Sequence, residues 1–421
     1  MIPNKGAEAK IGACILIRRA SRYLTGKKGN EPDKWRQAMR KKNVWIVFLA
    51  AGLSLFAIDA LADWSVAKRL TWNSGGSEHP DVAVDSNDTI HIVWDDSSPG
   101  NEEIYYRNSE DGGTTWSAAK RLTWSSGDSE RPAAAIDSNN RIHIVYYDDT
   151  PGNREIYYMR STDAGTTWSA AKRLTWSTGL SHYPAVAVDS GDAVHVAFYD
   201  DTPGNSEIYY RKSPDGGATW SALKRLTWTL YASYSPDIAI DSKDVIYLVC
   251  EDYSPGYSEV YYRESLGGAT WSTLKRLTWT AGDSGSPAIA INPEDHIHLV
   301  WSDGTPGNDE IYHKKSTDGG TTWSALKRLT WTSSRSYTPA IVTGSGNTIH
   351  VSWYDETPGD WEIYYRRSPD GGTNWEATQR LTWTSGISRH CTMAIDSGDA
   401  VHLVWDDDIS GSREIYYRHS Q

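Results

Sequence analysis

The chain has 421 residues, with 42 Lys and Arg against 54 Asp and Glu and a formal net charge of −12. Residues 1–62 hold 12 of the basic and 4 of the acidic residues, which leaves the remainder with 30 basic residues, 50 acidic residues and a charge of −20. Such a surface repels nucleic acid and anionic lipid at long range, so neither is expected as a partner.

Residues 1–38 match neither a domain nor a targeting signal, and read as unstructured chain or as sequence ahead of a true start at Met39. Residues 39–62 have the layout of a secretory signal peptide. Met39 to Asn43 (MRKKN) are basic, Val44 to Ile58 are continuously apolar, and Ala60-Leu61-Ala62 is a small-x-small site. The apolar run is shorter than the ~20 residues that span a bilayer, so no membrane span is expected after processing. The segment predicts cleavage after Ala62 and a secreted or periplasmic protein.

Residues 63–421 are repetitive. RLTW occurs seven times, and its Trp (Trp72, Trp124, Trp176, Trp228, Trp279, Trp331, Trp383) recurs every 51 or 52 residues. A fixed period of that size marks a repeat architecture. In the second unit four β segments are legible: Ala133 to Asp137, Arg141 to Asp148, Glu155 to Arg160 and Lys172 to Trp176. The second is apolar on nearly consecutive positions, as suits a strand covered on both faces, and it ends where Thr150-Pro151-Gly152-Asn153 forces a turn.

A sheet of four such strands cannot bury both faces alone, and radial stacking of such sheets is the β-propeller. The repeats open at Asp63 with only a fourth strand and end at Gln421 just after a third. Pairing Lys68 to Trp72 with Glu414 to Arg418 completes the last sheet. The expectation is an all-β, seven-bladed propeller closed by its own N-terminal strand.

Between the third and fourth segments of five units stands an S-x-D-x-G-x-T-W-like box, with Asp111, Asp163, Asp215, Asp318 and Asp370 as its acidic residue. These segments resemble the Asp-box, or bacterial neuraminidase repeat, of the sialidase superfamily. The resemblance implies a structural hairpin away from the active site. The physics agrees, since an Asp carboxylate accepts bonds from its own turn and Gly permits positive φ. Ser265 to Trp271 is a degenerate copy, one residue short and without the Asp. Sialidases of that superfamily are six-bladed, which weakens the transfer of active-site geometry onto seven units. Their Phe-Arg-Ile-Pro motif is absent; Ser388-Arg389-His390-Cys391 has an Arg in register but no Pro.

Other recurring polar residues are read as structural. His91, His143, His195, His298, His350 and His402 share one second-strand position, where Tyr247 stands in the seventh unit, and are expected to pack. Glu103, Glu155, Glu207, Glu259, Glu310, Glu362 and Glu414 each precede an Arg or Lys by four or five residues and are read as blade-edge hydrogen bonding. The acidic turns Asp95-Asp96, Asp148-Asp149, Asp200-Asp201 and Asp406-Asp407-Asp408 carry the oxygen ligands Ca²⁺ prefers, yet lack the spacing of a dedicated loop and are read as solvated turns. No other metal or cofactor is implied. Cys250 and Cys391 occupy different repeat positions in nonadjacent units and are not expected to pair.

The segment joining each fourth strand to the next first strand keeps one Ser while its neighbours change: Ser77-Glu78-His79, Ser129-Glu130-Arg131, Ser181-His182-Tyr183, Ser233-Tyr234-Ser235, Ser284-Gly285-Ser286, Ser336-Tyr337-Thr338 and Ser388-Arg389-His390. In a propeller these connections share a face with the turns after the second strands, around the channel mouth. Variable loops on a rigid scaffold are how binding sites are built. Candidate ligand contacts are Tyr183, Tyr234, Tyr257, Tyr337 and Trp361 as stacking surfaces, with Arg131, Arg335, Arg389 and His390 as polar partners. The partner class is carbohydrate or an extracellular protein. The function expected is recognition by an exported sialidase-like propeller; the alternative is an exo-sialidase or related glycoside hydrolase, for which no catalytic residue is assigned.

Overall fold

The computed structural model describes residues 64–420, apart from Pro203 and Pro255. The signal peptide expected over residues 39–62 therefore lies outside the described residues. The described chain forms seven four-stranded antiparallel sheets arranged as a propeller. Blade 1 comprises Ser77–Val84, Ile90–Asp96, Glu103–Ser109 and Lys120–Arg121, in that order. Blades 2 to 6 repeat it. Blade 7 takes three strands from the C-terminus, and its fourth is Lys68–Arg69.

That last pairing closes the ring between the two expected segments, with Lys68 opposite Tyr417 and Arg69 opposite Tyr416. The Leu70 amide donates to the Ile415 carbonyl at 2.7 Å, and the Ile415 amide to the Thr71 hydroxyl at 2.8 Å. The fourth strands are shorter than the sequence suggests. Only Lys and Arg pair regularly, because the following Thr turns its hydroxyl onto the third strand instead of its backbone.

The first strands start earlier than expected, at Ser129 in blade 2 rather than Ala133. Ser129 and Glu130 pair with Asp148 and Tyr147, the register slips at Arg131-Pro132, and pairing resumes at Ala133. Pro132, just ahead of the expected strand, sits inside a bulge, where its missing N–H costs no ladder bond.

The apolar core lies between blades. One cluster joins Ile104, Tyr106 and Leu122 of blade 1 to Ile142, Ile144 and Tyr146 of blade 2. The same arrangement joins Leu70, Val404, Ile415 and Tyr417 to Val82, Ile90, Ile92 and Trp94 across the closure. No sheet buries its own faces, as a four-stranded unit requires.

The recurring polar residues hold this frame. The second-strand histidines are buried, and in five blades Nδ1 meets a third-strand Tyr hydroxyl, as in His143 to Tyr158 at 2.8 Å. Each recurring Glu pairs not with the nearby third-strand Arg but with the fourth-strand Arg of its own blade, at 2.5 to 2.8 Å. The acidic turns also differ from expectation. Asp96, Asp148, Asp200 and Asp407 are buried and accept a bond from the invariant Ser of their blade, at 2.6 to 2.7 Å. That bond explains why the Ser is kept.

In the box, Asp111 accepts from the amide of Thr115 at 2.7 Å and from its hydroxyl at 2.6 Å. Gly165, at φ +83°, is where a Cβ would meet the Tyr106 ring of the preceding blade, so the hairpin can lie flat there. Cys250 and Cys391 are free and buried. Among the described residues no helix is long and apolar enough to cross a membrane.

Candidate functional site at the channel mouth

Each blade delivers one side chain to the channel mouth by the same local device. After the anchored Ser, one residue pairs with the second strand. The next, just before the Pro, sits in the left-handed region: His79, Arg131, Tyr183, Ser235, Ser286, Thr338 and His390, at φ 46° to 51°. None is Gly, and a left-handed non-Gly residue costs of order 1 kcal/mol and persists only where its surroundings fix it. Here the Ser–Asp bond fixes one side and the Pro ring the other; in blade 7, Cys391 replaces the Pro. The seven residues surround a cavity of about 650 Å³.

The walls differ in chemistry. On the side of blades 7 and 1, His79 Nδ1 lies 3.0 Å from Asp95 Oδ1 and His390 Nδ1 lies 2.6 Å from Asp406 Oδ1. The two imidazoles meet with centroids 4.4 Å apart. Burial drives Asp95, Asp406 and His79 toward their neutral forms. It pushes the Asp95 carboxyl well above the usual carboxylate range and raises Asp406, while His79 is pushed down to about 3 by burial and by the neighbouring His390 and Arg131. Glu102, behind them, is raised to about 8 by burial and by the Asp95 and Glu78 carboxyls. Deeper in the channel, burial raises Asp81 and Asp237 to about 6. Each also accepts an amide of the next blade, Ala134 at 2.8 Å and Ile289 at 2.9 Å.

The wall of blades 2 to 4 is aromatic. Tyr183 and His182 both stack on Tyr199, at 5.6 and 5.2 Å, and Tyr234 meets Tyr199 edge-on at 5.1 Å. The Arg131 guanidinium lies 4.2 Å over the Tyr183 ring. Blade 6 adds Tyr354 to the lining, with Trp361 against it at 5.0 Å.

Of the residues singled out from sequence, Arg131, Tyr183, Tyr234 and His390 line the cavity. Tyr337 and Trp361 stand beside Tyr354, one layer behind it. Arg389 is half-buried in the strand opposite Asp406, with its Nε free of protein partners. Arg335 does not join Arg131 and Arg389. It precedes the anchored Ser, is exposed, and lies 3.8 Å from Asp309. Tyr257, on the turn of blade 4, is 54 % exposed and outside the cavity lining.

Sequence reasoning missed one ring. The penultimate second-strand residue (Asp95, Tyr147, Tyr199, Glu251, Ser302, Tyr354, Asp406) pairs with the variable residue after each Ser, and Tyr199, Glu251 and Tyr354 of this ring line the cavity. The signal was available, because this position changes from blade to blade while the Asp after it does not.

A BNR repeat-like domain model matches residues 103–300. No curated protein matches the sequence significantly. Among solved structures the chain is similar to an ulvan lyase, a polysaccharide lyase, at 14 % identity and TM-score 0.61, covering 83 % of this chain and 95 % of that one. It is also similar to a protein of unknown function from Dyadobacter fermentans, at 14 % and 0.56, covering 84 % and 98 %. A third is a Hadza microbial sialidase, at 14 % and 0.52, covering 79 % and 76 %. At these identities the likeness is one of fold.

Proposed function

We propose that this chain, a BNR-repeat propeller with the sialidase-superfamily fold, is exported and binds a glycan in the cavity at its channel mouth. One observation carries the reading: the residues that differ between otherwise near-identical blades converge on a single cavity whose opposite walls are aromatic and acidic. Tyr183, partly exposed, offers aromatic surface to a sugar, and the carboxyls of the acidic wall offer hydrogen-bond acceptors. Arg131 has no ion pair among the described residues, lies over the Tyr183 ring, and suits a sugar carboxylate. The carbohydrate substrates named for the lyase and sialidase of like fold favour a glycan over an extracellular protein. The test is a glycan array probed with residues 63–421 and with Tyr183→Ala. The variant should lose about tenfold in affinity, the order of one well-placed aromatic contact, without a change in fold. Absence of any glycan signal sinks the reading.

A second reading, cleavage of a glycosidic linkage, is favoured by one specific observation. Burial makes Asp95, Asp406 and Glu102, beside the cavity, weaker acids than ordinary carboxyls, and His79 and His390 lie within hydrogen-bond reach of the first two. Such groups are what general acid and base catalysis at a sugar needs. Many turnovers of a fluorogenic sialoside or of a uronate polysaccharide, abolished by Asp95→Asn, would establish it over simple binding.

A further inference from the structure

The mouth is not the largest cavity. A groove of about 780 Å³ runs down the outside between blades 1 and 2, flanked by Trp124, Tyr157, Met159 and Trp168. The equivalent groove between blades 7 and 1 measures about 420 Å³. One residue accounts for the difference. In six blades a third-strand cation crosses the groove and donates to the Leu carbonyl of the preceding RLTW: Arg107 to Leu70, Arg211 to Leu174, Arg263 to Leu226, Lys314 to Leu277, Arg366 to Leu329 and Arg418 to Leu381. Blade 2 alone has Met159 at that position, opposite Ile144 and 2 % exposed. The Leu122 carbonyl loses its cationic cap, and the groove stays open.

We infer that this groove is a second ligand site, for a neutral sugar ring stacked on Trp124. Trp124 is 72 % exposed, with the Arg121 guanidinium 5.6 Å from its ring. An isolated flat ring of this kind, bordered by Thr123, Thr150 and Ser169, suits one pyranose face and its hydroxyls. Charges at the groove are already satisfied within the protein. Arg121 pairs with Glu103 at 2.6 Å, Lys120 donates to the Thr166 carbonyl at 2.5 Å, and Asp148 holds Ser129 at 2.7 Å. A neutral ligand is therefore accepted over a charged one, and the uncapped Leu122 carbonyl accepts one of its hydroxyls. An extended peptide is disfavoured, because the adjoining edge strand, Lys120–Arg121, is too short to template an added strand. The site does not depend on the channel mouth.

Met159→Arg copies the residue of the neighbouring blades, so it should fold, and it refills the groove. The probe is a panel of immobilised neutral hexasaccharides of glucose, galactose, mannose and xylose. The wild-type protein should be retained on at least one, and both Met159→Arg and the exposed Trp124→Ala should weaken that retention about tenfold. Tyr183→Ala should leave it unchanged. Arg107→Met, which opens the groove between blades 7 and 1, should add a second binding equivalent. No retention on any hexasaccharide, or retention unaffected by Met159→Arg, overturns the proposal. Retention lost with Tyr183→Ala and kept with Met159→Arg assigns the binding to the mouth and equally overturns the groove.

Discussion

Replacing Arg69 by Ala tests the closure of the ring more sharply than removing the strand would. The Glu414 side chain is fully buried, and its Oε1 accepts from Arg69 Nη2 at 2.5 Å and from the Asn73 amide at 3.1 Å. Its Oε2 has no protein partner. Without Arg69 the buried carboxylate keeps one good donor. Breaking a buried pair from one side costs about 3 to 5 kcal/mol; with Arg69 27 % exposed, the charge is partly screened and about 2 to 3 kcal/mol is expected.

The repeat supplies an internal standard. Arg225 and Glu207 make the same contact within blade 3, at 2.7 Å and with 25 % and 0 % exposure. A closed ring requires Arg69→Ala and Arg225→Ala to lower stability by the same amount, although one pair spans 345 residues of sequence and the other 18. Denaturant unfolding followed by Trp fluorescence makes the comparison. If Arg69→Ala is silent while Arg225→Ala is costly, the N-terminal strand does not close the propeller and the argument fails.

Exported protein should begin at Asp63; N-terminal sequencing that finds Val44 to Ile58 retained contradicts the signal-peptide reading. The Asp-boxes should make the fold acid-sensitive. Asp111, Asp215 and Asp318 are held at about 2, in each case mainly by the hydroxyl and amide of the Thr four residues on. A carboxyl lowered in the folded state stabilises it above the unfolded value near 4 and loses that contribution as pH falls toward 2. Thermal melts across that window should show the loss, and Asp318→Asn should flatten it. Among the arginines, Arg131→Ala should weaken glycan binding at the mouth and Arg335→Ala should not; equal effects would show that the two share one site.

The propeller, its blade number and its closing strand were legible because each rests on a periodic signal repeated seven times. RLTW set the period, and the incomplete units at Asp63 and Gln421 revealed the pairing. What escaped were features that repetition hides. Pro132 looked like the boundary of a strand because a bulge and a turn use the same residues. Asp148 looked like a solvated turn because the partner that buries it, Ser129, lies 19 residues upstream. The site was half legible. Variability picked out Arg131, Tyr183, Tyr234 and His390, but depth within the mouth depends on strand register, which left Arg335 outside and Asp95 read only as part of a solvated turn. Met159 carried no sign of its own until the six bonds it fails to make were visible.

The bulge explains how near-identical blades can hold an unequal site. A variable position within a regular strand would face either the core or the neighbouring blade, and each substitution would disturb packing that all seven units share. Setting the residue in a left-handed bulge lets His, Arg, Tyr, Ser or Thr occupy it at φ 46° to 51°, held there by the surroundings. The Ser–Asp bond beneath and the Pro beyond keep that conformation without help from the side chain itself. Variation at the mouth is thereby decoupled from the fold. Seven units of one design present five kinds of side chain at this position to one cavity, and low divergence elsewhere in the blades is no argument against a specific ligand.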